Sequence, residues 1–199
     1  MKVLIFVVVL FGAALVSSAQ VSYPHLRDEL VSMLKVDQDA RGKCVNGPAD
    51  EQVECHAVLS KTIDEPHIKR LEEIFDKIGF PNSAKVGREG MQAFMILLQH
   101  APTDTLRVKS LKPITAAFKN KELSPMDYAN FVDRLRLHLG KKQLYGSGFE
   151  FKEGKMVMSP TEDMKNLERR RRKIGLPPLV EHVKTIKEMY KLEVVVPSN

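Results

Sequence analysis

The chain has 199 residues, a formal charge of +6, 43% apolar residues and two cysteines. That length fits one domain with a buried core and calls for no second. The charge excess is mild and so gives no strong pull towards acidic partners, and the absence of repeats or low-complexity tracts excludes a solenoid or a disordered chain.

Met1 to Ala19 carries one positive charge at Lys2, an apolar run from Val3 to Val16 broken only by Gly12, and the small residues Ser17-Ser18-Ala19. This is the layout of a secretory signal peptide, and the run is shorter than the ~20 apolar residues of a membrane span. The expected organisation is a signal peptide over 1–19 and a single helical domain over 20–199, secreted into an oxidising compartment. No later segment suits a bilayer, no endoplasmic-reticulum retention tetrapeptide ends the chain, and there is no Asn-x-Ser/Thr sequon.

Ser22 and Pro24 read as a helix cap and first turn, and Leu26, Leu30 and Leu34 carry an amphipathic helix to about Arg41, with Gly42 as its stop. Cys44 and Cys55 flank the turn-forming Asn46-Gly47-Pro48, which favours a disulfide in a secreted chain. A nucleophile or metal role for Cys55 beside His56 is the alternative. Ile68, Leu71, Ile74, Phe75 and Ile78 form a helical stripe that starts near Asp64-Glu65-Pro66 and ends at Gly79 and Pro81. From about Val86 to His100, Met91, Phe94, Met95, Ile96, Leu97 and Leu98 surround most of a helix, which places it at the centre of the fold.

Asp104 opens a stretch through Leu106, Leu111, Ile114 and Phe118, with Pro113 predicting a kink or break. Ser124-Pro125-Met126-Asp127 supplies a cap, a first-turn proline and a capping-box acid, and Tyr128, Phe131, Val132, Leu135 and Leu139 mark the buried face that follows. Tyr145 to Ser159 alternates around Glu153-Gly154 and reads as a β-hairpin of two strands only. Thr161 is expected to cap a helix to Ile174, and a last helix to run from Leu179 to Leu192. The fold class is mainly α: a single multi-helix domain around a central buried helix, with one small β-hairpin.

The central helix delivers Gln99 and His100 at its carbonyl end, where an imidazolium is favoured. His100 is either a general acid or base or a plain C-terminal cap. Asp133 lies nearly opposite the Phe131-Leu135 face with Arg134 on the flank, so the two are a solvated pair unless the hairpin or another helix covers them. In the run Arg169 to Arg172, Arg171 shares the inward face of Met164, Leu167 and Ile174, whereas Arg169, Arg172 and Lys173 point out. That surface suits an acidic polysaccharide, or processing after Arg172, and without interleaved aromatics it gives no support to nucleic-acid binding. No Gly-x-Ser-x-Gly, His-Glu-x-x-His, Walker or dinucleotide motif is present, and the six histidines lack ligand spacing, so neither metal nor cofactor is expected.

Taken in order, Asp37-Gln38 with Arg41, Val86-Gly87, Gln99-His100-Ala101, Asp133-Arg134, Gln143-x-Tyr145-Gly146 and Arg170-Arg171 before Gly175-Leu176 resemble the pattern of a largely bacterial family known only as a domain of unknown function. The resemblance implies a single helical domain and a shortlist of Gln99, His100, Asp133, Arg134, Gln143 and Tyr145, with no activity attached. Where that family often has Tyr-Gly-Thr-Gln, this chain has Tyr145-Gly146-Ser147-Gly148 and so lacks the second amide. If the shortlist converges, His100 serves as base on water and Asp133 orients it, while Arg134 and Gln143 hold an anionic or carbonyl group, with Gln99, Tyr145 and the inward Arg171 as further binding groups. The readings are then a secreted binding or interaction protein with a polar pocket for a small polar or anionic ligand, a secreted hydrolase-like enzyme, or a polyanion-binding protein. The Gln99-His100 end is expected to meet Gln143 to Tyr145, because unpaired buried polar groups there would cost ~1–3 kcal/mol each.

Overall fold

In the computed structural model, residues 21–46 and 51–197 are described, which leaves the expected signal peptide, the Gly47-Pro48 turn and Ser198-Asn199 outside the described residues. The chain is mainly helical. The first helix, α1 (Pro24–Val45), has Pro24 in its first turn and no side-chain cap; Ser22 and Tyr23 instead donate backbone N–H bonds to the Ala84 and Lys85 carbonyls. The helix runs through Gly42, where a stop was expected. Gly42 costs ~1 kcal/mol relative to alanine in a helix, a modest penalty beside two tethers, an ion pair at Arg41 and a disulfide at Cys44.

The disulfide joins Cys44 to Cys55, as expected, and its Cα atoms lie 5.6 Å apart. Beyond it the expected loop is helical: α2 (Gln52–Leu59) passes into a π-helical turn over Ser60–Asp64 and then into α3 (Glu65–Ile78). The apolar stripe of α3 buries Ile68, Leu71 and Ile74.

The central helix, α4 (Ser83–Gln99), buries Met91, Phe94 and Leu98 completely, but Gln92 and Ile96 keep one narrow stripe open to solvent. Asn82 caps it, its side chain accepting from the Lys85 N–H at 3.2 Å. Gly87 breaks the helical dihedrals at φ 70°, a conformation that disfavours any residue with a Cβ. At Gly90 a Cβ would sit 3.2 Å from the Arg27 Cα, so its absence lets α1 lie directly along α4.

Next comes α5 (Thr105–Lys119), where a kink or break was expected at Pro113; the helix is not broken there. The carbonyl that loses its partner there is that of Lys109, an exposed residue that water can serve. In α6 (Pro125–His138) the expected cap is present, with Ser124 Oγ accepting from the Asp127 N–H at 3.1 Å.

Strands β1 (Phe149–Lys152) and β2 (Lys155–Met158) pair antiparallel with Phe149 opposite Met158. The sheet has a third strand that was not expected: β3 (Glu193–Val195) runs parallel to β2, so the connection carries α7 (Leu167–Lys173) and α8 (Leu179–Tyr190). Thr161 does not cap a helix. It forms a parallel bridge with Gln143, and helical structure begins only at a 3-10 turn over Met164–Asn166. Among the described residues, no helix is long and apolar enough to cross a membrane.

The bridge between Cys44 and Cys55 closes a short loop, worth about 3 kcal/mol in the chain-entropy model. Replacing both cysteines by serine is expected to lower the unfolding free energy by about that amount in urea denaturation. An unchanged midpoint would mean that packing alone holds α2 to α1.

Candidate functional site

The last carbonyls of an α-helix have no partners within it, and in α4 a buried arginine takes them. Arg107, 1% exposed, donates Nε to the Leu98 carbonyl at 3.1 Å and Nη2 to those of Gln99 and Ala101 at 2.9 and 2.5 Å. Its Nη1 donates to the Thr103 carbonyl at 3.1 Å and to the Asp104 carboxylate at 2.7 Å. Every guanidinium N–H is used, and the turn that carries Gln99 and His100 is fixed.

On one side of that turn, His100 meets α1. Its Nδ1 lies 3.1 Å from the carboxylate of Asp37, a residue 1% exposed, which also accepts from Gln38 Nε2 at 2.8 Å and Arg41 Nε at 3.0 Å. The Arg41 Nε is also 3.1 Å from Nδ1 of His100. With a carboxylate available to both, the arrangement that satisfies most groups has Arg41 and His100 each donating to Asp37, which leaves the His100 Nε2 lone pair free. Arg41 also pairs, through Nη2, with Asp64, the residue that the π-helical turn delivers.

The two carboxyls around Arg41 shift in opposite directions. Burial works to raise Asp37, but its bonds and charge contacts with His100, Arg41 and Gln38 outweigh that and hold it below the ordinary range. At Asp64 burial prevails over Arg41 and His100 and pushes the carboxyl up. Burial lowers His67, whose Nδ1 has no hydrogen-bond partner among the described residues.

On the other side of the turn, Asp133 does not reach His100. Completely buried, it binds the chain between α6 and β1. Oδ1 accepts from the N–H groups of Leu144 at 2.6 Å and Tyr145 at 3.0 Å, and Oδ2 from Ser147 N–H and hydroxyl at 3.0 and 2.8 Å. The expected solvent face of α6 is thus covered by the loop that precedes the hairpin. Gln143, also fully buried, closes the same loop by donating Nε2 to the Ser159 carbonyl at 2.9 Å and accepting the Gly148 N–H at 2.9 Å. Arg170 donates to the Leu144 carbonyl, and Arg171, inward as expected, to those of Tyr145 at 2.6 Å and Pro177 at 2.9 Å. Burial raises the Tyr145 phenol and lowers the Arg171 guanidinium. These residues build the loop. His100 and the Gln143-Tyr145 segment share no hydrogen bond.

Arg134, next to Asp133, behaves differently. Its guanidinium makes one weak contact, 3.3 Å from Nη1 to the Gln99 carbonyl, and no carboxylate lies within ion-pair distance among the described residues. It faces a cavity of about 360 Å³ that it shares with Gln99, Asn130, His138, Ser147, Gly148 and Glu150. The residue is exposed to solvent at the cavity mouth, and the protein around its inner part, with the charges of Arg107 and Arg41, draws its pKa down. His138 is lowered too, by burial first and then by Arg107, against the pull of Asp104 3.5 Å away.

Of the residues singled out in the sequence, Gln99 and Arg134 line the cavity, His100 joins Asp37 and Arg41, and Asp133, Gln143, Tyr145 and Arg171 belong to the loop. Arg107, Asp64, Asn130, His138 and Glu150 were missed. Only Arg107 left a signal, since it shares a helical face with Ile114. No group of residues with the makings of a metal site is found among the described residues.

A family model described as a family of unknown function (DUF6624) matches residues 24–195. No curated protein and no solved structure matches the chain.

The shifts around Arg41 set a pH dependence. Asp37 is lowered, so the stability that its carboxylate supplies is present above the ordinary 3.8 and is lost as pH falls through the lower folded value. Asp64 is raised, so its contribution is present below 3.8 and is lost as pH rises through the folded value. In denaturant titrations from about pH 5 downward, Asp37→Asn should lose stability less steeply than wild type and Asp64→Asn more steeply. Parallel curves for all three would show that the two carboxyls do not shift in opposite directions.

Proposed function

The chain belongs to this family of unknown function, and we propose that it is a secreted binding protein that holds a small polar anion, a carboxylate or phosphate, in the cavity beside the α4 terminus. The observation that carries this reading is Arg134, a solvent-accessible cation lining a concave cavity, with a single 3.3 Å carbonyl contact and no counter-ion within ion-pair distance among the described residues. A guanidinium presents parallel N–H groups suited to such an anion. The signal-peptide reading of residues 1–19 and the Cys44–Cys55 disulfide support secretion. The basic run gives less support to a polyanion partner: Arg170 and Arg171 are taken up by loop carbonyls, and only Arg169, Arg172 and Lys173 remain outside.

A hydrolase-like reading is the second, and the buried Asp37 beside His100 is what favours it. An orienting carboxylate on Nδ1 leaves Nε2 to take a proton, with Asp37 in the role that the sequence assigned to Asp133. Long-range nitrogen-proton NMR at alkaline pH, where imidazole is neutral, is expected to place the His100 proton on Nδ1. A proton on Nε2 would mean that Nδ1 accepts from Arg41, and the acid-base reading would fall.

The binding reading is tested by thermal unfolding with millimolar succinate or inorganic phosphate, alongside glucose as a neutral control. At a concentration ~100-fold above Kd, a bound anion adds about 2.7 kcal/mol to stability, several degrees in a domain of this size. The wild type should gain this with at least one of the two anions and not with glucose, and Arg134→Met should lose the gain. Equal shifts in both proteins would exclude Arg134 as the anion's partner.

A further inference from the structure

The cavity that holds Arg134 also holds a carboxylate. Glu150 on β1 is in its lining, and the Lys152 ammonium at 2.7 Å, then the Ser159 hydroxyl at 3.0 Å, keep it below the ordinary carboxylate range and so ionised. For a ligand carrying only negative charge, Glu150 is a repulsive wall. For a ligand with charges of both signs, it is a second partner.

Part of the rest of the lining is apolar. Phe149 and Met156 come from the hairpin, Ile186 and Tyr190 from α8, and Leu137 from α6. These side chains would surround an aliphatic or aromatic group next to the two charged ones. The volume of about 360 Å³ lies at the small end of the usual range of ligand sites, ~300–1,000 Å³.

Resting on the anion reading of Arg134, we infer that the cavity is a site for a free amino acid with an apolar side chain. Arg134 takes its carboxylate, Glu150 its ammonium, and the Phe149, Met156, Ile186 and Tyr190 wall its side chain. Asn130 and Ser147 lie in the same lining and add neutral hydrogen-bonding groups.

Calorimetry on the full mature protein with L-phenylalanine, N-acetyl-L-phenylalanine and L-phenylalaninamide separates the parts. L-Phenylalanine is expected to bind the wild type, and each derivative, which loses one of the two charges, about tenfold or more weakly. Glu150→Gln should weaken phenylalanine by a similar factor and should not weaken the acetylated acid, whose repulsion from Glu150 it removes, whereas Arg134→Met should abolish both. Glu150 lies on an exposed strand, and circular dichroism of each variant checks that it folds. If the acetylated acid binds the wild type as tightly as phenylalanine, or if succinate or phosphate binds and phenylalanine does not, this inference is overturned while the anion reading stands. If none of these probes binds, both fall.

Discussion

The turn that ends the central helix and brings Gln99 to the cavity depends on the buried guanidinium of Arg107. An apolar central helix is easily buried along its length but not at its end, where carbonyls without partners would sit in a covered environment at ~1–3 kcal/mol each. Arg107 collects the carbonyls of Leu98, Gln99, Ala101 and Thr103 and keeps one carboxylate, Asp104, for its own charge. The cation also suits the negative end of the helix dipole. By fixing that turn it sends His100 towards α1 and leaves the Gln99 carbonyl facing α6.

Asp133 solves the opposite problem. The loop between α6 and β1 has N–H groups without partners, and one buried carboxylate gathers those of Leu144, Tyr145 and Ser147. A buried charge is tolerated when hydrogen bonds surround it, as they do here. The loop's carbonyls are met in turn by Arg170 and Arg171 from α7, and Gln143 ties its start to Ser159, just past the end of β2. Two adjacent residues of α6 therefore have separate tasks. Asp133 turns in to hold the loop, and Arg134, about 100° further round the helix, emerges at the opening the loop leaves.

Much of the fold was legible because apolar side chains recur at helical spacing wherever a helix lies against the core, as in Ile68-Leu71-Ile74 or Met91-Phe94-Leu98. The caps at Ser124 and the disulfide were legible for an equally local reason, since each depends on a few residues close in sequence. What could not be read has a common cause in distant partners. Helix α2 has an exposed Val58 and no clear stripe, and the bridge to α1 holds it in place. Strand β3 is three residues long and exists by pairing with β2, some forty residues earlier in the chain. The site follows the same division. The inward position of Arg171 showed in its helical phase, whereas Asp133 was read towards solvent because nothing near it in sequence announces the loop that covers it.

The charges near the end of α4 are unevenly matched, and that is why the cavity is the place to look for function. Arg41 and Arg107 both lie within electrostatic reach of Arg134 and draw its pKa down. Arg41 has two carboxylates, Asp37 and Asp64, and Arg107 has its carbonyls and Asp104. Arg134 has one carbonyl at the limit of hydrogen bonding. Arg134 is open to solvent at the mouth of the cavity, so its guanidinium is available to a ligand, and the two nearby cations leave it without a carboxylate of its own among the described residues. The proposed anion would give Arg134 a partner, and Glu150 in the same lining would favour ligands that bring a positive charge as well.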